Sequence, residues 1–446
     1  MTTRTLPRPA PGGAERAPGG AERWFGVKTQ IHARLLGSLT PDQLRTLTKE
    51  GVRDQIATVA EKIVGESATP MTVGERDRLV EEVLDEVFGL GPLEPLMKDP
   101  TISDILVNNF DSVYVERAGQ LVETNVRFKD QAHVRIIIDR IVSNIGRRID
   151  DSSPIVDARL PDGSRVCAVI PPLSLTGPVI SIRRFGKKLL STDDLVKNET
   201  FTAAMLDFLR GCVEARLNVV VSGGSGSGKT TMLNTLSRFI PETERIVTIE
   251  DTAELAMQQE HIVRLETRQT NIEGAGSITQ RDLVINALRM RPDRIIVGEC
   301  RGSEALDMLQ AMNTGHDGSM TTTHANTAVD CFSRLETMVM MASQHIPDKV
   351  IRHMLASAVN VVVQTARLPD GTRKVVSISE VTGVEGDTIA LQEVFGFDRE
   401  GVSARGKAVG QFTGRGVRSV NMDRLRAYGV KLPDSIFSDV YPVKDR

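Results

Sequence analysis

Residues Gly223-Gly224-Ser225-Gly226-Ser227-Gly228-Lys229-Thr230 carry the spacing G-x-x-x-x-G-K-[ST], followed by a second threonine, Thr231. Glycine at these positions lets the backbone turn so that successive N–H groups point at the α- and β-phosphates of a nucleotide. The lysine then reaches the β/γ-phosphates, and the threonine hydroxyl sits on Mg²⁺. Hydrolysis asks for more: a carboxylate to order the metal or the attacking water, and groups that stabilise charge on the transferred phosphoryl. Glu299, Glu250 and His324 are the candidates downstream, with Thr230 and Glu299 the candidate metal ligands.

These residues need elements to hold them. Val219-Val220-Val221 reads as a buried strand entering the loop. Met232, Leu233, Leu236, Phe239 and Ile240 recur at helical spacing after it, until Pro241 stops the run. A flexible Gly/Ser linker fits poorly between two such apolar elements. Further strands run over Arg245–Glu250, before Asp251, over Asp293–Glu299 and over Ser319–His324. Between the last three lie a helix with Leu283, Val284, Ala287 and Leu288, and one with Ala305, Leu306, Leu309 and Met312 capped by Ser303. Apolar strands alternating with helices predict a parallel α/β sheet over 191–395. Ligands of such sheets bind beyond the carboxyl ends of the strands. Those ends deliver, in order, the glycine loop, Glu250-Asp251, Glu299 and His324. One polar strand end means little, and each of these residues taken alone has a structural alternative, the lone histidine above all; four around one phosphate loop read as an assembled site.

The rest of the chain divides by composition. Residues 1–23 repeat GGAER amid proline and glycine and predict a disordered tail. Residues 24–90 are helical in pattern, with a Thr40-Pro41 start and an amphipathic run of Leu79, Val80, Val83, Leu84, Val87 and Phe88. Gly74 and Gly89-Leu90-Gly91-Pro92 break this region, which reads as a small helical bundle. Residues 91–190 predict a compact α+β domain. Its strands run over 104–108, 112–116, 121–128 and 179–184, with a helix through Ile136, Ile137, Val142 and Ile145 and a turn at Leu160–Gly163. It carries Arg147, Arg148, Arg159, Arg165, Arg183 and Arg184. Arginine forks suit phosphate oxygens, and exposed strand edges also carry arginine. Residues 396–446 read as a C-terminal extension without nameable chemistry.

Bulk composition narrows the class. Hydrophobic content of 40%, charged content of 25% and a net charge of −3 describe an ordinary globular chain without a global basic field. The four cysteines are scattered, with no CxxC pair, which fits a reducing cytosol and no zinc ribbon. No apolar run approaches the ~18 residues that span a bilayer, and the N-terminus lacks a signal-peptide core, so work at a membrane is expected through partners.

At TIEDTAEL (248–255), RMRPDRIIVGECRGSEALDMLQAMNTGHDGSMTTTHAN (289–326), GRRIDDSSPIVDARLPDGSRV (146–166) and ISIRRF (180–185), the chain resembles the type II/IV secretion ATPases. It is most similar to the CpaF/TadA subfamily that powers Flp (tight adherence) pilus assembly. The resemblance spans about 24–435. It implies a RecA-like ATPase domain behind an α+β domain and a helical bundle, working as a cytoplasmic homo-hexamer docked on inner-membrane platform proteins. ATP and Mg²⁺ would lie against Gly223–Thr231, with Lys229, Glu299, Glu250 and His324 catalytic. Arg183 and Arg184, with Arg159 and Arg165, would close on the phosphates. Two features depart from the wider family: Cys300 stands where an aliphatic residue is expected, and the tetracysteine zinc module of extension-type pilus ATPases is absent. The leading alternative is a RecA-like nucleic-acid translocase or helicase, against which count the acidic balance and the scarcity of Tyr and Trp, three and one. A GTPase would carry NKxD, a small-molecule kinase would not need the second carboxylate and histidine, and a subunit without turnover would not need intact Glu250 and Glu299.

Overall fold

The computed structural model describes residues 72–443 with 58 and 62, apart from 118, 145–146, 185–189, 269–275, 344 and 404–405. The expected tail, the Thr40-Pro41 helix start and Ile145 lie outside the described residues. The chain divides into two compact units, 1–186 and 187–446.

The first unit's helix α1 spans Val73–Phe88 and buries Leu79, Val80, Val83 and Leu84. Thr72 accepts the Glu75 N–H while the Glu75 carboxylate accepts the Thr72 N–H. This reciprocal cap nucleates the helix, so Gly74 sits inside its first turn instead of breaking it. Six antiparallel strands follow: β1 (Ile102–Asn109), β2 (Ser112–Arg117), β3 (Gln120–Glu123), β4 (Ile155–Arg159), β5 (Arg165–Val169) and β6 (Val179–Arg183), in the order β3-β2-β1-β6-β5-β4. A helix over Gln131–Asn144 packs Val134, Ile137, Ile138, Ile141 and Val142 into their common core. Strand β3 is shorter than the expected 121–128. It is an exposed edge, and the chain leaves it so that buried Phe128 can donate its N–H to Phe110 O at 2.7 Å.

The second unit holds one ten-stranded sheet. Strands β7 (Val219–Gly223), β8 (Ile246–Glu250), β9 (Ile262–Glu266), β10 (Arg294–Val297), β11 (Met320–Thr323) and β12 (Val361–Arg367) run parallel in the order β12-β7-β11-β10-β8-β9. Both faces are covered: Val219 and Val221 enter one core, Val220 the other. The sheet is mixed, not purely parallel. Beyond β12 the chain returns antiparallel through β13 (Arg373–Glu385), β14 (Thr388–Val402) and β15 (Ala408–Gly414), because short turns reverse direction where a parallel step would need a crossover; β16 (Val440–Pro442) joins antiparallel after a longer connection that carries the helix Met422–Ala427. The expected boundary at 395 therefore falls inside β14. The segment 396–446 is built into the domain: Phe437 meets Phe208 and Phe395 at 5.8 Å, and Leu425 and Ile436 join the same core.

Candidate nucleotide site at the ends of the parallel strands

Strand β7 ends at Gly223, and the helix α2 (Lys229–Ser237) begins at the lysine of the motif. Phe239 and Ile240 continue only as tight turns, so the helix is shorter than its apolar spacing implied. The glycine pattern has visible causes. A Cβ on Gly223 would lie 2.4 Å from Thr365 Oγ1 and 2.5 Å from Ser227 Oγ. Gly228 caps the helix with φ of 99°, a left-handed conformation that costs glycine nothing. Ser225 and Gly226 are exposed at the loop tip, Gly224 is half-buried, and Thr230 and Thr231 are half-buried in the first helical turn. Ser227 donates to Gly224 O at 2.9 Å, and its hydroxyl meets Thr365 Oγ1 at the same distance. Lys229, only 7% exposed, donates to Gly223 O at 3.1 Å and Gly224 O at 3.0 Å. The cation thus lies across the mouth of the loop where phosphates would bind.

Neighbouring strand ends bring the other groups. Glu250 closes β8 and is buried. Its Oε1 accepts the N–H groups of Glu254 and Leu255, both at 2.8 Å, while its Oε2 is buried without a hydrogen-bond partner. Burial outweighs those two bonds and pushes the carboxyl up to about 7. A Cβ on Gly298 would lie 2.9 Å from Glu250 Cγ, so glycine there makes room for this side chain. Beyond β10, Glu299 accepts from Arg301 Nη2 at 2.6 Å and stands 2.9 Å from His324 Nε2. The second contact is an ion-pair distance without hydrogen-bond alignment. Burial raises the Glu299 carboxyl, but Arg301, His324 and Lys229 outweigh it and hold it below its ordinary value. His324, just past β11, is pushed down by burial; the upward pull of Glu299 is opposed by Lys229, 3.3 Å from Nε2. The imidazole is therefore uncharged at neutral pH.

The result is a continuous row, Arg301–Glu299–His324–Lys229, leading into the phosphate loop, with Arg301 also 3.9 Å from Asp251. The structure brings together Lys229, Glu299 and His324 as the strand-end argument expects, with Glu250 alongside at Gly298. Sequence reasoning missed Arg301 and Thr365. Arg301 had one signal, its place two residues after Glu299; Thr365 had none. Ser303 does not cap its helix (Glu304–Asn313), for its own backbone is helical; the Glu304 carboxylate accepts the N–H groups of Arg301 and Gly302 instead. Cys300 packs fully buried as a small apolar residue.

In the first unit, Arg159 lies opposite Arg165, and Arg165 opposite Arg183, across β4, β5 and β6. Opposed antiparallel residues share a face, and like charges so placed repel; Asp104 on β1, opposite Arg183, relieves part of this. Arg183 is exposed. Arg184 is committed elsewhere: its Nη1 donates to the carbonyls of Asp99 and Ile102, and its backbone N–H to Ser103 O. Arg147 donates to Asp157 O and Arg148 pairs with Asp150.

Among the described residues no group of three or more His, Cys, Asp or Glu could hold a metal alone. The site nevertheless fits Mg²⁺ carried in on a nucleotide, since Mg²⁺ needs few protein ligands beside phosphate oxygens. The unpartnered Glu250 Oε2 and the glycine cradle are the observations that fit. No helix among the described residues is long and apolar enough to cross a membrane.

Residues 86–398 match the family described as type II/IV secretion system protein. A putative conjugal transfer protein of Mycobacterium tuberculosis is 38% identical over 312 residues, 69% of this chain and 88% of that protein. The type IV secretion system protein VirB11 of Brucella suis is 31% identical over 66% of this chain and 89% of its own length. The crystal structure of the VirB11 ATPase from Brucella suis, in complex with sulphate, aligns at 29% identity over 65% of this chain and 96% of that one, with a TM-score of 0.36. By that family match over most of its length, this chain belongs to the type II/IV secretion system ATPases.

Proposed function

We propose that the protein is an ATP-hydrolysing hexameric motor for pilus assembly or secretion, of the CpaF/TadA kind that drives Flp pili. The observation that carries the enzymatic part is the row Arg301–Glu299–His324–Lys229 at a glycine loop. In this reading Lys229 leaves the Gly223 and Gly224 carbonyls to neutralise phosphate charge. Thr230 and Glu299 would hold the metal, and Glu299 is the leading catalytic carboxylate. Mg²⁺ supplies charge neutralisation on the β- and γ-phosphates when bound. Glu250, its carboxyl pushed up to about 7 by burial, orients the water. Neutral His324, between Glu299 and Lys229, hydrogen-bonds the γ-phosphate and reports its presence. Arg183, with Arg159 and Arg165, would stabilise phosphate charge. Arg184, which shared that role in the sequence reading, serves as its brace.

The motor would work in the cytoplasm at the inner face of the membrane, held there by platform proteins. A nucleic-acid translocase is not favoured: the matched family is a secretion family. The test is Mg²⁺-dependent ATP turnover by the purified chain, with its mass measured by ultracentrifugation in a non-hydrolysable ATP analogue. A hexamer whose turnover ignores single-stranded DNA is expected. A monomer, or turnover that rises severalfold with DNA, contradicts the proposal.

A further inference from the structure

Strand β12 runs beside the phosphate-loop strand, with Thr365 level with Gly223, and continues past it to Arg367. After a tight turn, β13 starts at Arg373, directly opposite Arg367. The hairpin therefore places two arginines alongside the loop, and one of them grips it. Arg373 Nε donates to Gly226 O at 2.8 Å. A Cβ on Gly228 would lie 3.5 Å from Arg373 Cδ, so the side chain lies along the loop instead of pointing away.

Gly226 O belongs to the same peptide plane as the Ser227 N–H. In a trans peptide the two point in opposite directions. Fixing the carbonyl outward on Arg373 therefore aims the Ser227 N–H back across the loop, where it now stands 3.4 Å from Gly224 O. Inward N–H groups are what a phosphate loop offers its anion. The next residue makes the hairpin a firm support: buried Lys374 donates to Glu199 O at 2.8 Å and lies 5.3 Å and 5.4 Å from the Phe397 and Phe412 ring centres. The backbone N–H of Val375 adds a bond to Thr200 O.

We infer that Arg373 is a positioning residue of the nucleotide site, holding the Gly226–Ser227 peptide in its phosphate-accepting orientation from outside the loop. The inference rests on the nucleotide-site reading above. An oriented loop serves ground state and transition state alike, so its loss weakens binding without slowing the bound complex. The experiment measures binding of fluorescent ADP and a non-hydrolysable ATP analogue, KM and kcat for ATP, and the nucleotide-free melting temperature. Arg373→Ala is expected to weaken both nucleotides by the same factor, about tenfold or more for a charge-assisted hydrogen bond, and to raise KM alike. The expected kcat and melting temperature are unchanged. Arg373→Lys, which keeps a donor within reach, should recover affinity to within about threefold. Unchanged binding overturns the inference while leaving the site intact. Loss confined to the ATP analogue overturns it too, because it makes Arg373 a direct γ-phosphate contact. A parent protein that binds neither nucleotide overturns the site reading itself.

Discussion

At the ends of the parallel strands, titratable groups of different kinds stand in contact with one another. Lys229, His324, Glu299 and Arg301 form one row, and each partner fixes the next. On the antiparallel sheet of the first unit like charges stand side by side: Arg159, Arg165 and Arg183 face one another across three strands, with Asp104 opposite Arg183 on the far side. Buried strand ends must compensate their charges internally, because an isolated buried ion is costly. A half-buried sheet face can hold like charges side by side where water and neighbouring polar groups screen them. The contrast separates a row of mutually contacting groups of both signs from a stripe in which arginines stand beside one another. It also separates Arg183 from Arg184, neighbours in sequence that differ in what they already hold.

Three experiments sharpen or break that contrast, taken from the largest expected effect. Lys229→Ala should lower ATP turnover by about a thousandfold and abolish tight nucleotide binding, since it removes the buried cation at the phosphate mouth. Arg183→Ala should lower turnover by about tenfold or more with an unchanged melting temperature. Arg184→Ala should instead destabilise the first unit by about 1–3 kcal/mol, because two carbonyls lose their donor. The opposite pattern in the two arginines would erase the distinction between surface and brace.

A last effect, comparable in size, is a pH dependence. Between its ordinary value and about 7, Glu250 is protonated in the folded protein and ionised in the unfolded chain. The folded state then holds the extra proton, so raising pH through that window withdraws stability, on the order of 2–3 kcal/mol. Glu250→Gln keeps an oxygen for the Glu254 and Leu255 N–H groups and removes the titration. Urea unfolding from pH 5 to 8 should show a steeper loss in the parent protein than in this variant; parallel curves would place the ionisation elsewhere.

The glycine loop was legible because its chemistry is local, a few residues that name both the turn and the cation. Glu250, Glu299 and His324 were legible one level up, from apolar strands that must end somewhere. Arg301 was barely so: it stands two residues after Glu299, but an arginine in a loop is by default solvated, and the fold was needed to show it reaching that carboxylate. Arg294 was not: wholly buried on β10 and held by Glu244, it breaks an otherwise apolar strand pattern. The C-terminal fifty residues failed for a third reason. Phe437 fills a core beside Phe208, and a short apolar group carries no local sign of so distant a partner.

The central claim is that Glu299 serves the chemical step far more than nucleotide binding, since Thr230 and the phosphate oxygens share the holding of the metal. Glu299→Gln keeps the size of the side chain while removing its charge. Measured side by side, ATP-analogue affinity should stay within about threefold of the parent, while single-turnover hydrolysis falls by about a hundredfold or more and bound ATP persists. Hydrolysis at the parent rate would contradict the account and move the catalytic carboxylate to Glu250.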